Sequence, residues 1–364
     1  MEGSSDRRVV VSDGLSLIPH SSARVVFAES DRVVVFLRAG EKFAWWGHCS
    51  VEVEEGTAIL SGAALAAGET YFVAAPRTHA AVALCCEKKV EELSEDDVPK
   101  SLKRLLTDQS ALRHVTCIVT IRPLSLQQFG LTASALFLNP SEEDADRAWL
   151  TVCSAESGFA VDVFPSDWRD IVTENVQAGS RVMVVGNRGV GKSSFLRFAV
   201  NTLLSLFSKV CVVDTDPGQA ELGPPGTINA AFVSLLMLSP GQFSSHSAFE
   251  IVSSRLVAGY SPDVDPARFS ADVAFLCQTL DARLAGKDAN VPILFNTPGW
   301  VTGFGYDCLL SSVMSFRPTC VFQLGYVTRS ASSDGVLSFG SAQTFPAVSL
   351  PLAADSGLLV PADL

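Results

Sequence analysis

The chain has 364 residues, 48% of them hydrophobic and 18% charged, with 27 Lys and Arg against 39 Asp and Glu for a formal net charge of −12. So apolar and sparsely charged a composition excludes a disordered chain and predicts a folded protein of about two domains. The acidic balance excludes affinity for nucleic acid by blanket phosphate neutralisation, so any such contact must be local.

No apolar run approaches the ~20 residues that cross a bilayer. The first residues, with Asp6, Arg7 and Arg8 among small polar neighbours, lack the apolar core of a secretory signal. The expectation is a soluble chain with no membrane partner. Nine cysteines, an odd number without C-x-x-C spacing, predict buried thiols in a reduced, intracellular protein rather than a zinc site or a disulfide framework.

Residues 9–86 read as short β-rich runs punctuated by Gly40, Gly47, Gly56, Gly62 and Gly68. That grammar predicts a small antiparallel sandwich or barrel, placed at residues 1–125, with Trp45 and Trp46 in its core. Residues 87–104 are charge-dense and predict a solvated loop running into a short helix, and residues 117–121 one more strand. Residues 126–164 are expected to be a connecting segment with an acidic surface loop at 140–146.

From Arg181 strands alternate with helical segments. Strands are predicted at 181–185, 210–213, 228–236, 251–258, 292–295 and 320–324, and helices at 192–207, 266–284 and 305–314. Continuous apolar strands alternating with helices argue for an α/β fold with a parallel sheet covered on both faces. Residues 326–364, rich in Ser, Ala, Pro and Gly without periodicity, are expected to be a loosely ordered tail.

Between the first of these strands and its helix lie Gly186, Asn187, Arg188, Gly189, Val190, Gly191, Lys192 and Ser193, followed by Ser194. The run fits G-x-x-x-x-G-K-[ST] in the strand-to-helix position its mechanism requires. Glycines let backbone N–H groups wrap a β-phosphate, Lys192 reaches the β- and γ-phosphates, and the Ser193 hydroxyl ligates Mg²⁺. The sequence thus predicts a P-loop NTPase with a doubly wound, mainly parallel sheet at 165–325, binding ATP and Mg²⁺ and preceded by a small β-sandwich-like domain.

The next strand delivers Asp214, Asp216 and Gln219 to the carboxyl edge of the sheet, where open α/β sheets bind ligands. One carboxylate can hold Mg²⁺ and another accept a proton from an attacking hydroxyl; the alternative is a turn in which the acids cap the next segment. A third cluster, Asn296, Thr297, Pro298, Gly299 and Trp300, closes a later strand. Trp300 is either an exposed platform on which a base stacks or a core side chain beneath the next helix. The five histidines form no constellation, and the absence of N-K-x-D argues against a Ras-type GTPase.

Taken in order, Pro165-Ser166-Asp167-Trp168, the P-loop ending at Ser194-Phe195, Asp214-x-Asp216-x-Gly218-Gln219 with Pro224-Pro225-Gly226, Gly259-Tyr260-Ser261-Pro262 and the Asn296-to-Gly305 run resemble the RNA polynucleotide 5′-hydroxyl kinase family. The run after Asp216 is closer to that family's nucleolar, pre-rRNA processing branch. The resemblance implies that Lys192 and Ser193 bind triphosphate and Mg²⁺, and that Asp216 is the general base for an RNA 5′-hydroxyl. It further implies that Gln219 and Thr297 line the reaction centre and that Trp300 holds the terminal nucleotide. It also implies a nuclear, nucleolar setting and a processing-complex partner such as an endonuclease.

One departure stands out. The family carries an arginine-bearing lid after its last core strand, whereas here Arg329 is the only basic residue after Arg317. Arg188 or a partner is then expected to supply that charge. The function implied is ATP-dependent phosphorylation of RNA 5′-hydroxyl ends in rRNA processing. The alternative is an ATP-bound scaffold subunit of an RNA 3′-end or tRNA processing complex.

Overall fold

In the computed structural model the described residues are 9–11, 15–17, 25–29, 31–76, 81–86, 92–105, 112–124, 150–153, 161–162, 164–165, 167–240, 249–286, 288–324, 336–339 and 343–350. The chain forms two compact units, one built from Met1–Val163 and one from Phe164–Ser356.

The first unit is a branched sheet of twelve described strands. They are β1 (Val9–Val11), β2 (Leu15–Leu17), β3 (Val25–Ala28), β4 (Val33–Arg38), β5 (Lys42–Gly56), β6 (Ala58–Leu60), β7 (Ala63–Leu65), β8 (Thr70–Ala75), β9 (Ala81–Cys86), β10 (Val115–Pro123), β11 (Leu150–Cys153) and β12 (Val161–Asp162). Its organiser is the 15-residue β5, whose first half pairs with β9 and β11 and whose second half pairs with β8 and β10. Gly47, at φ 131°, sits where one set of partners gives way to the other. A strand shared in this way carries the chain from one sheet path into another, as sandwich-type folds require. Trp45 is fully buried and Trp46 half-buried, in keeping with the expected core role.

Two sequence expectations need correcting in this unit. The charge-dense stretch is more than a solvated loop, because Val98 and Leu102 are buried against Val34, Phe36 and Ile118. Its helical part is one 3-10 turn, Lys103–Leu105. The segment expected to be a connector supplies β11 and β12, which pair with β5 and β9; the acidic stretch at 140–146 lies outside the described residues.

The second unit holds an eight-stranded sheet in the order β16-β15-β14-β17-β13-β18-β20-β19. The strands are β13 (Arg181–Gly186), β14 (Val210–Asp214), β15 (Thr227–Val233), β16 (Phe249–Leu256), β17 (Ile293–Asn296), β18 (Cys320–Leu324), β19 (Val336–Phe339) and β20 (Gln343–Leu350). Its centre, from β14 through β17, β13 and β18 to β20, is parallel. Both margins turn antiparallel, at β14–β15–β16 and at β19–β20. The tail expected to be loose therefore contributes two strands. Gln343–Leu350 extends the sheet by parallel pairing beside β18, an apolar strand that would otherwise expose its edge.

Among the described residues four helices cover this sheet: α1 (Trp168–Asn175), α2 (Lys192–Leu204), α3 (Pro266–Leu284) and α4 (Phe304–Phe316). Alternation along the strands sends Val182, Val184, Val210, Val212 and Leu294 to one face, under Phe195, Leu196, Ala199 and Leu203 of α2 and Trp168 of α1. Met183, Val185, Cys211, Val213 and Phe295 go to the other face, under Phe269, Val273 and Leu276 of α3 and Leu309, Val313 and Phe316 of α4. This is the doubly covered α/β arrangement expected from the sequence. Helix α3 begins where the sequence placed it because Asp265 caps it, its Oδ1 accepting from the Arg268 backbone N–H at 3.0 Å, with Pro266 at the first helical position. Helix α2 stops at Leu204, three residues short of the expectation.

Candidate nucleotide-binding and phosphoryl-transfer site

Strand β13 is the middle of the parallel sheet and is buried from Val182 to Gly186, so its carboxyl end is rigid where the chain turns into α2. A Cβ on Gly186 would lie 2.4 Å from the Leu324 carbonyl oxygen, which is why the strand closes on glycine. Gly189 and Gly191 take φ of 78° and 90°, the left-handed region that glycine enters at no steric penalty. An added Cβ on either would meet nothing within 4 Å, so these residues line an open loop rather than a packed one.

Lys192 opens α2 and is 7% exposed. Its Nζ donates to the Asn187 carbonyl oxygen at 3.0 Å, one acceptor for a group with three donors. Burial pulls the ammonium down to about 8, against the opposing attraction of Asp216. Donors left over on a desolvated cation beside an open glycine loop fit a polyphosphate. Ser193 is half-buried on the same turn, and Asn187 and Arg188 are exposed on the loop.

The two acids behave differently. Asp214 ends β14 with no exposure, and three N–H groups occupy its carboxylate. Asn296 Nδ2 donates to Oδ1 at 3.0 Å, the Asp216 N–H to the same oxygen at 3.3 Å, and the Glu221 N–H to Oδ2 at 2.5 Å. Burial pushes the carboxyl up to about 7 even though these donors favour the charged form. Asp216 is half-exposed, and its Oδ1 accepts from the Gly218 and Gln219 backbone N–H groups at 3.1 and 3.3 Å, an Asx-type turn. Of the expected Mg²⁺ set Ser193, Asp214 and Asp216, the structure thus offers Asp216 toward solvent and sinks Asp214 beneath it. Among the described residues no cluster of three His, Cys, Asp or Glu side chains forms a metal cage.

The third cluster packs directly on the P-loop. A Cβ on Gly299 would lie 2.6 Å from the Arg188 Cα and 2.7 Å from its nitrogen, so only glycine permits this approach. Thr297 differs from the expectation that it lines the reaction centre, because it is fully buried and its Oγ1 donates to the Val184 carbonyl at 2.7 Å. It fastens the loop to β13. Trp300 is half-buried rather than an exposed platform: a Cβ on Gly305 would lie 2.4 Å from its Cγ, and the indole packs against the core. Gly305 opens the space it occupies. Gln219 is exposed, beside Asp216. Arg329 lies outside the described residues.

Two site residues carried no signal of their own in the sequence, and a third, Asn296, was legible only as a member of its cluster. Arg197 and Glu221, 24 positions apart, form a buried ion pair at 2.7 Å, and Arg197 Nη2 also donates to Ser194 Oγ at 3.3 Å. The pair ties the P-loop helix to the loop that holds Asp214. Asn296 grips Asp214, while its own Oδ1 is buried without a partner among the described residues.

A glycine phosphate loop between the central parallel strand and a helix, with a carboxylate at the end of the next strand, defines a P-loop nucleotide-binding domain. Residues 186–338 match the family described as mRNA cleavage and polyadenylation factor CLP1 P-loop. The chain is similar to polynucleotide 5'-hydroxyl-kinase GRC3 of Gibberella zeae, 27% identical over 332 residues, covering 86% of this chain and 44% of the relative. It is also similar to polynucleotide 5'-hydroxyl-kinase NOL9 of Drosophila melanogaster, 31% identical over 178 residues, covering 49% of this chain and 17% of that one. The chain thus spans less than half the length of these relatives. Among solved structures, the wild-type Clp1p–Pcf11p complex matches with a TM-score of 0.53 at 12% identity, over 81% of this chain and 61% of that one, a likeness of fold. The resemblance drawn from the five motifs therefore holds, on the side of the GRC3 and NOL9 kinases.

Proposed function

We propose that this chain is an ATP-dependent polynucleotide 5′-hydroxyl kinase acting on RNA. The observation that carries the reading is the pairing of two groups at one sheet edge: Lys192, an under-satisfied cation on an open phosphate loop, and Asp216, a half-exposed carboxylate whose charge Lys192 feels. The similarity to GRC3 and NOL9 kinases supports the same conclusion.

ATP with Mg²⁺ supplies the transferable γ-phosphoryl. Backbone N–H groups of Gly189 to Lys192 cradle the phosphates, and the Lys192 ammonium neutralises charge on the transferring group. Ser193 and Asp216 would hold the Mg²⁺ ion, and Asp214 with its three N–H donors holds the Asp216 loop from behind. Asp216 accepts the proton of the RNA 5′-hydroxyl as it attacks in line. Gln219 borders that reaction centre, Thr297 sets the neighbouring loop, and Trp300 bounds the nucleotide with the part of its ring left exposed. Arg188, exposed on the P-loop, is placed to supply positive charge from within the chain. The matched family's description as an mRNA cleavage and polyadenylation factor supports work in RNA processing, and the solved Clp1p–Pcf11p complex supports a protein partner. In the reading proposed here the setting is nuclear and nucleolar and the partner a processing-complex protein such as an endonuclease.

Transfer of labelled γ-phosphate to a 5′-hydroxyl RNA oligonucleotide tests this reading. Asp216→Asn is expected to lower the rate by about 10²- to 10⁴-fold with ATP still bound, and Lys192→Ala to abolish both binding and transfer. ATP binding by the wild type without any transfer would replace the kinase by a nucleotide-dependent scaffold.

A further inference from the structure

We infer that Tyr260 is the platform on which the 5′-terminal base of the RNA stacks, with Leu256 as its apolar neighbour; this rests on the kinase reading above. Tyr260 is 70% exposed and Leu256 71% exposed. A single exposed apolar side chain needs no explanation. Two of them on a segment hydrogen-bonded, through Gly226, to the loop that carries the reacting acid do.

The geometry ties them to Asp216 by short steps. The Gly226 N–H donates to the Pro217 carbonyl at 2.8 Å, and the Val257 N–H donates to the Gly226 carbonyl at 2.9 Å. The end of β16 is thereby sewn to the residue after Asp216. A Cβ on Gly226 would lie 3.7 Å from Tyr260 Cε1 and 3.9 Å from Leu256 Cδ1, so both side chains flank the same bare glycine. A Cβ on Gly218 would lie 2.8 Å from the Tyr260 carbonyl oxygen and 3.5 Å from Asp216 Oδ1, so Tyr260 and the acid meet across Gly218. Gly226 takes φ 86° and no side chain could stand there without strain. The turn Pro262–Val264 follows Tyr260 directly, and a Cβ on Gly259 would lie 2.9 Å from Val264 Cγ2, so Val264 packs on the residue before Tyr260.

An exposed aromatic ring on a segment whose backbone meets that of the general base across Gly218 fits the nucleobase that accompanies a 5′-hydroxyl. Every base has a π-face, so such a platform serves RNA ends of any sequence. Trp300, packed on Gly305, does not offer its whole face, which leaves Tyr260 as the open aromatic adjoining Asp216 among the described residues.

The test uses the full 364-residue chain. Tyr260→Ala is expected to raise the RNA KM on the order of ten- to a hundredfold, with the ATP KM unchanged and Tyr260→Phe near wild type. An RNA carrying 2-aminopurine at its 5′ end is expected to lose fluorescence on binding to the wild type and to Tyr260→Phe, but not to Tyr260→Ala. Transfer that proceeds without the quench, or with the same RNA KM in Tyr260→Ala, overturns the platform and leaves the kinase standing. A Tyr260-dependent quench without transfer overturns the kinase reading and leaves the platform. Absence of both overturns both. A change in sedimenting mass on Tyr260→Ala with RNA constants unmoved assigns the surface to a second copy of the chain and also overturns the proposal.

Discussion

Lys192 carries a charge that the fold makes expensive, because its ammonium is buried with one hydrogen-bond acceptor, and the attraction of Asp216 offsets only part of the cost. Its proton is held less firmly in the native chain, where burial brings the ammonium from its ordinary 10.5 down to about 8, than in the unfolded one. Below pH 8 the buried charge therefore destabilises the native state. Between pH 8 and 10.5 the unfolded chain keeps a proton that the native chain has released, so native stability rises with pH. Lys192→Met removes this strain together with nucleotide binding. It is expected to stabilise the protein at pH 7 by on the order of 3 kcal/mol, and by progressively less toward pH 10. Urea unfolding of both chains at the two pH values checks this, and a gain that does not shrink with pH would remove burial of the ammonium as its origin. In the proposed reaction the same residue meets the phosphates, so on that reading the instability and the function have a common cause.

Between elements, the fastening of α2 to the Asp214 loop rests on Arg197 and Glu221, both nearly inaccessible to solvent. Removing one partner of such a pair strands the other charge, so Arg197→Ala is expected to cost about 3–5 kcal/mol. Arg197→Met combined with Glu221→Leu removes both charges and is expected to be more stable than the single variant. If positioning is what the pair supplies, the double variant recovers stability but transfers phosphate more slowly than the wild type at saturating ATP. Equal rates would make the pair purely structural. Nothing in the sequence announced this contact, since a helical arginine and a loop glutamate 24 residues apart are ordinary surface residues until the fold buries both. The elements themselves were far more legible. Helix α3 and strand β18 fall where periodicity and apolar runs put them, because proline, an aspartate cap and unbroken apolar stretches are local signals.

At the scale of the molecule, only the unit from Phe164 to Ser356 contains the phosphate loop and the acids. Mg²⁺·ATP at 100 times its Kd stabilises a one-site protein by about 2.7 kcal/mol. For a unit of this size that corresponds to a rise in midpoint of roughly 5–10 °C. Calorimetry is expected to show the rise in the transition of this unit, and to show none for Lys192→Met. A rise of equal size in the variant would place the nucleotide elsewhere.

The sequence alone determined the phosphate loop, the pair of acids after the next strand, the two kinds of domain grammar and the resemblance that names the chemistry. All of these are written in residues close along the chain, where a strand, a turn and a helix start are specified by neighbours. The tertiary structure decided what each side chain faces. It sank Asp214 and Thr297, half-buried Trp300 against Gly305, left Tyr260 open beside Gly218, and drew residues 343–350 into the sheet next to β18. Burial and orientation depend on which distant segments pack together, and a linear pattern of residue types holds no record of that packing.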